Sequence, residues 1–146
     1  MKTLTSYKWG PSSLRRRSTV HPLLRVVFDI VLRSHDCAYM CGLRLADAQR
    51  VAYLAGNSTK LFPESRHNRS ILLDRPDLSD AADVAPCIDG TISSTIEHCV
   101  FFAGRVMQVA ENSGIELRWG GNWDRDQIVI TDQKFQDLWH YEVMAD

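Results

Sequence analysis

The chain has 146 residues, 45% of them hydrophobic, and a formal net charge of −1. That is enough apolar material for one domain to build a core without disulfides, and the near-neutral balance excludes a global electrostatic pull toward nucleic acid or another polyanion. Cys37, Cys41, Cys87 and Cys99 lack CxxC spacing, no run reaches the roughly 18 apolar residues of a membrane span, and no apolar stretch follows Lys2 as in a signal peptide; free, mostly buried thiols in a chain made in the cytosol are expected.

Residues 1–19 form a polar, turn-rich segment, with Gly10-Pro11 as a breaker and Arg15-Arg16-Arg17 as a solvated, solubilising run. After Pro22, which suits a first helical turn, Leu24, Val27, Phe28 and Val31 have helical spacing. Ala38-Tyr39-Met40 reads as a short strand leading to Gly42. Asp47 to Leu54 is helical again, with Gly56-Asn57 as its stop. From Leu61 to Ser79, Pro63, Pro76 and several charges surround the brief run Ile71-Leu72-Leu73, which predicts a long excursion around a short element.

Ala82 to Ala85 predicts a buried strand ended by Pro86, and Ile88-Asp89-Gly90 a turn. Ser94 and Glu97 fit a capping box, and Ile96, Val100, Ala103, Met107 and Ala110 form one face of a helix ending near Gly114. Ile115 to Trp119 alternates like a strand, and Trp139 to Val143 is the last strand. This order predicts an α+β domain over 1–146, with helices packed on a small, mainly antiparallel sheet.

His67, Asp83 and His140 are candidate ligands of a hydrolytic zinc centre. Two neutral imidazoles and a carboxylate leave a coordination position for water, whose pKa zinc lowers to about 7. Asp137, on the loop entering the strand of His140, is the candidate base. Glu142 projects to the same side as His140 and is a candidate for orienting it. Asp77 and Asp80 are lower-ranked alternatives to Asp83, and Cys37 and Cys41 lower-ranked metal ligands. His21, His35 and His98 read as surface or hydrogen-bonded groups, Trp119 and Trp139 as packing, and Trp123 as exposed near the cleft.

Several strings together resemble one known family. Ser13-Leu14 with Val20-His21-Pro22-Leu23-Leu24, then Gly42-Leu43-Arg44 with Gln49 and Gly56-Asn57-Ser58, are similar to its opening blocks. Ser65-Arg66-His67, Ala81-Ala82-Asp83-Val84-Ala85-Pro86 with Ile88-Asp89-Gly90, and Arg118-Trp119-Gly120-Gly121 with Asp137-Leu138-Trp139-His140-Tyr141-Glu142 resemble its ligand motifs. The family is the M15 metallopeptidases, of the phage L-alanyl-D-glutamate endopeptidase (endolysin) type. Residues 68–82 make a longer connection between the first histidine and the aspartate than the family usually has, and Cys41 and Cys87 stand where it more often shows an acidic and an aromatic residue.

The resemblance implies a zinc peptidase fold of the D-alanyl-D-alanine peptidase/hedgehog-like type, with Zn2+ on His67, Asp83 and His140. It implies Asp137 as general base and then acid, and Arg44 as the cation steadying the carbonyl oxygen as it becomes an oxyanion. The implied substrate is the stem peptide of bacterial peptidoglycan, cut between L-Ala and D-Glu by a monomer. It would be made in the host cytoplasm without a signal peptide and act on the wall after release by a holin-type helper. A D-Ala-D-Ala carboxypeptidase of the same family and a non-catalytic wall-binding homologue are the alternatives.

Overall fold

The period of the first apolar run carries directly into structure: in the computed structural model, which describes residues 7–145, Pro22–Leu32 is a helix that buries Leu24, Val27, Phe28 and Val31. His21 caps it, its Nδ1 accepting from the Leu23 N–H at 3.0 Å. Ahead of this helix, α2, lies α1, Pro11–Arg17, where turns were expected. Gly10-Pro11 starts a helix rather than breaking one because proline's fixed φ and missing N–H suit the first turn.

The arginine run is also more than a solubilising surface. Arg16 Nη1 donates to the Tyr39 carbonyl at 2.8 Å, and Arg17 grips Asp29 of α2 through Nε and Nη2 at 2.9 and 2.5 Å. These bonds tie α1 to its neighbours.

The remaining elements are β1 (Cys37–Cys41), α3 (Ala46–Leu54), β2 (Ala81–Ile88), β3 (Thr91–Ile92), α4 (Ile96–Asn112), β4 (Leu117–Trp119) and β5 (His140–Val143). The strands form one antiparallel sheet in the order β1-β2-β5-β4, with β3 added to the far end of β2. The fold is α+β, as the order of elements predicts.

Alternation along the strands divides the sheet into two chemically different faces. Tyr39, Ala82, Val84, Leu117, Trp119, Tyr141 and Val143 point into a core completed by Phe28 and Val31 of α2 and Phe102, Val106 and Val109 of α4. Phe28 stands edge-on to both Tyr39 and Tyr141, with ring centroids 5.7 and 5.3 Å apart. The intervening residues, Asp83, Arg118, His140 and Glu142, belong to the opposite face. Helices α2 and α4 therefore fill one side of the sheet, and the polar chemistry is displaced to the other.

Two local expectations are corrected. Pro86 does not end β2, which continues to Ile88. Val84 donates its N–H toward β5, to the Trp139 carbonyl, so Pro86 faces the same side one step beyond the last β5 partner and no ladder donor is lost. The strand then turns through Asp89 and Gly90, both with positive φ (51° and 79°), into β3. The Ser94/Glu97 capping box does not form: α4 is capped by Thr95 without a side-chain bond, and Ser93 Oγ instead accepts from the Thr95 N–H and pairs with His98 Nδ1.

Two outcomes follow from this packing. Phe28 is fully buried between two aromatic rings, so Phe28→Ala is expected to cost about 3–5 kcal/mol, read as a lowered midpoint in chemical denaturation. The Asp29 carboxyl is opposed by partial burial but held below the usual carboxylate range by its bonds to Arg17 and Trp9. A carboxyl depressed in the folded state stabilises above its unfolded pKa, near 3.9, and loses that contribution as pH falls through the folded value. Between about pH 5 and about pH 2 the wild type should lose more of its melting temperature than Asp29→Asn does.

Candidate metal centre

Strand register sets the first pair of groups. Asp83 of β2 lies directly opposite His140 of β5, and on the next ladder Arg118 of β4 lies opposite Glu142. Residues directly across an antiparallel pair have side chains in contact on one face. The third group, His67, arrives on a turn rather than a strand. Its N–H joins no ladder and donates to Ser65 Oγ at 3.2 Å, while its carbonyl accepts from the Arg44 N–H at 2.7 Å. Asn68 fastens the same turn to the start of α3, its Nδ2 donating to the Arg44 carbonyl and to Gln49 Oε1, both at 2.9 Å.

Three atoms from distant parts of the chain then meet. His67 Nε2 is 3.2 Å from Asp83 Oδ1 and 3.2 Å from His140 Nδ1, and His140 Nδ1 is 3.5 Å from Asp83 Oδ1. The far nitrogen of each ring fixes what the near one offers. His67 Nδ1 sits 2.9 Å from the Gly42 carbonyl, and His140 Nε2 sits 3.0 Å from Glu142 Oε1. Both partners are acceptors, so both far nitrogens carry the proton, and the near nitrogens turn lone pairs toward Asp83.

Three lone-pair atoms so close together repel one another unless a cation or proton lies among them. Burial alone would lower the His67 pKa, but the Asp83 carboxylate outweighs it and pushes the ring up to about 10. Burial would raise the Asp83 carboxyl, and the two imidazoles instead hold it well below the usual range. The site is thus built for positive charge. A tetrahedral zinc with bonds of about 2.0–2.1 Å needs ligand atoms about 3.3 Å apart, and the observed triangle has that size. The donor set, two imidazoles and a carboxylate, also fits a divalent cation such as zinc.

Asp137 stands next to this triangle, Oδ2 3.9 Å from His140 Nδ1. Its loop is held by a reciprocal arrangement: the Asp137 N–H donates to the Gly120 carbonyl, and the Asp137 carbonyl accepts from the His140 N–H, each at 3.1 Å. A Cβ on Gly120 would overlap the Asp137 carbonyl, which is why the approach requires glycine. Burial and the negative charge of Asp83 raise the Asp137 carboxyl above its ordinary value, a setting suited to taking up and returning a proton.

Arg44 lies on the other side, Nη2 3.6 Å from Asp83 Oδ2, with Nη1 donating to Gln49 Oε1 at 3.1 Å. Cys41 joins this edge of the site. Its sulfur accepts from Arg44 Nη2 at 3.7 Å, and a ligand atom from each of Cys41, His67 and Asp83 falls within 4.8 Å of the others. Cys37, in contrast, is in the core.

The lower-ranked carboxylates have other work. Asp80 is fully buried and accepts from Ser70 Oγ, the Ile71 N–H and the Leu72 N–H at 2.6, 2.8 and 3.2 Å, organising the connection between His67 and β2. Asp77 pairs with Arg75 at the surface. Sequence reasoning passed over Asn68, Arg66 and the Gly42 carbonyl as site-builders; Asn68 and Arg66 flank His67, which was their only signal.

A cleft of about 670 Å³ opens over the centre, lined among others by Arg44, Lys60, Arg66, Leu72, Trp123 and Asp137. A smaller one of about 370 Å³ shares Arg44 and Asp137 and continues past Asp83 to Trp139. The candidate centre therefore sits between two lobes. Trp123, half-buried, tilts against His140 with centroids 5.4 Å apart and stacks on Phe135.

Residues 5–144 match a family model described as phage L-alanyl-D-glutamate peptidase. Among solved structures, the chain is similar to the crystal structure of the Serratia marcescens L-Ala D-Glu endopeptidase ChiX, at 26% identity and a TM-score of 0.70, over 94% of this chain and 90% of that one. No curated protein matches the chain.

Glu142 supplies a check on the centre. Arg66 Nε and Arg118 Nη2 hold its Oε2 at 2.9 and 3.2 Å while Oε1 orients His140. Glu142→Gln is expected to weaken zinc affinity about 10–100-fold, measured by competition with a chromogenic chelator, with the circular dichroism of the fold retained.

Proposed function

Because its family model covers residues 5–144, the chain belongs to the phage L-alanyl-D-glutamate peptidases and is an enzyme of that activity, and we propose that it hydrolyses the L-Ala–D-Glu bond of the peptidoglycan stem peptide as a zinc-dependent endolysin. The convergence of His67 Nε2, Asp83 Oδ1 and His140 Nδ1, each with its lone pair turned inward, carries this reading. These atoms would hold zinc, which supplies Lewis-acid polarisation of the scissile carbonyl and acidification of water.

The rest of the chemistry belongs to the chain. Asp137, its carboxyl raised by burial and by Asp83, takes the proton from the attacking water and returns it to the leaving amine. Arg44 presents guanidinium N–H donors toward the carbonyl oxygen as negative charge develops there. Glu142 holds the His140 ring in the tautomer that leaves Nδ1 free for the metal. Trp123 and Phe135 stack beside the centre, with Trp123 against the His140 ring.

Among the described residues no helix is long and apolar enough to cross a membrane. We place the enzyme's action at the cell wall after release from the host cytoplasm, working as a monomer.

Asp137→Ala should retain one zinc per chain and lose about 10²–10⁴-fold in kcat, and a chelator should abolish wild-type activity until zinc is restored. Mass spectrometry of digested peptidoglycan is expected to show new D-Glu amino termini. Release of free D-Ala instead would make the enzyme a carboxypeptidase, and zinc binding with no new amino groups would make it a non-catalytic wall-binding protein.

A further inference from the structure

The larger lobe of the cleft contains a charge arrangement that the hydrolytic step does not use. Glu142 is almost fully buried, and its one negative charge faces two guanidinium groups, Arg66 and Arg118, as well as His140. Both arginine side chains line the cleft and are 31% exposed. Two cations on one carboxylate leave a local excess of positive charge on this wall of the cleft.

Arg118 is the less satisfied of the two. Arg66 also donates from Nη1 to the Val143 carbonyl at 3.0 Å. Among the described residues Arg118 makes one hydrogen bond, from Nη2 to Glu142, and its buried Nε has no partner. Its guanidinium rests on the Trp123 ring, 5.5 Å from the centroid. Glu142 and Trp123, which fix Arg118 in place, both also touch His140, so the cation stands one side chain away from the candidate metal ligands.

Two other charged groups of the cleft, Arg44 and Asp80, do not duplicate this role. Arg44 is engaged by Asp83, Gln49 and Cys41. The Asp80 carboxylate is turned into its own loop, where it already accepts three hydrogen bonds.

A glutamate residue has two carboxyl groups, of which only one continues the peptide. In the stem peptide the chain continues through the side-chain carboxyl, so the free carboxyl sits two bonds from the scissile nitrogen, as a carboxylate or, when amidated, as a neutral carboxamide. We propose that Arg118, seated on Glu142 and Trp123 with Arg66 beside it, receives this free carboxylate and makes the enzyme select stems whose D-glutamate is not amidated. The inference rests on the reading that the chain cleaves the L-Ala–D-Glu bond. A planar guanidinium with unused N–H groups forms charge-assisted hydrogen bonds to a carboxylate that a carboxamide cannot match.

The test uses two synthetic stem peptides that differ only in this group. For the zinc-loaded wild type, kcat/KM should be about tenfold or more higher on the carboxylate form, chiefly through KM, as one charge-assisted contact implies. Arg118→Gln should bring the two values within about twofold, with zinc content and melting temperature checked on the same preparation. Binding of the uncleaved peptides to Asp137→Ala, followed by calorimetry, should show the same preference, and the Asp137→Ala/Arg118→Gln pair should lose it. Equal cleavage of both peptides by the wild type would overturn the proposal while leaving the endopeptidase reading intact. A preference that persists in Arg118→Gln would assign the selection to another residue. Cleavage of neither peptide would overturn the endopeptidase reading and this inference with it.

Discussion

The register of β2 against β5 is the constraint on which the rest of the molecule depends. Asp83 lies opposite His140 and Ala82 opposite Tyr141, so one ladder delivers two ligand candidates to one face and an aromatic core residue to the other. A slip of one residue would exchange the faces, placing His140 among the helices and Tyr141 in the cleft. The core enforces the register: Tyr141 is fully buried between Phe28 and Phe102, and Val84 and Val143 are fully buried beside it. Hydrophobic packing on one side of the sheet therefore positions the polar chemistry on the other.

The same logic explains the mixture of rigid and local support around the centre. Asp83, His140, Glu142 and Arg118 stand on strands, where the ladder sets their separation. His67 and Asp137 come from turns, and each is tied down by backbone bonds: His67 through Arg44, Asn68 and Gly42, Asp137 through Gly120 and the His140 N–H. The connection from His67 to β2 winds around the buried Asp80 carboxylate. That carboxylate satisfies the loop's own donors and so gives the connection a fixed internal anchor.

Electrostatics tie these groups into one unit. A chain of contacts runs from Arg66 and Arg118 through Glu142 to His140, then to Asp83, His67 and Arg44. Both carboxylates along it face guanidinium groups, Glu142 those of Arg66 and Arg118 and Asp83 that of Arg44, which keeps a buried polar cluster tolerable in low-dielectric surroundings. The centre of the chain is where a divalent cation has matching donors, and its outer end is where a guanidinium has donors left over.

Much of this was legible in the amino-acid sequence. The helices of Pro22–Leu32 and Ile96–Asn112 followed from apolar residues at helical spacing, the strands from alternation, and the α+β class from their order. His67, Asp83, His140 and Asp137 were named from residue chemistry together with motifs that resemble those of the family. What sequence did not reveal was whatever depends on a partner remote in the chain. Helix α1, the continuation of β2 through Pro86 and the Thr95 cap were missed because local signals there are weak and neighbouring elements decided the outcome. The tie of Arg17 to Asp29, the seat of Asp80 in its loop, and the sharing of Glu142 by two arginines likewise join residues that no local sequence pattern pairs. Periodicity is a property of contiguous residues and survives in the sequence, whereas the sharing of one charge among several partners exists only in three dimensions.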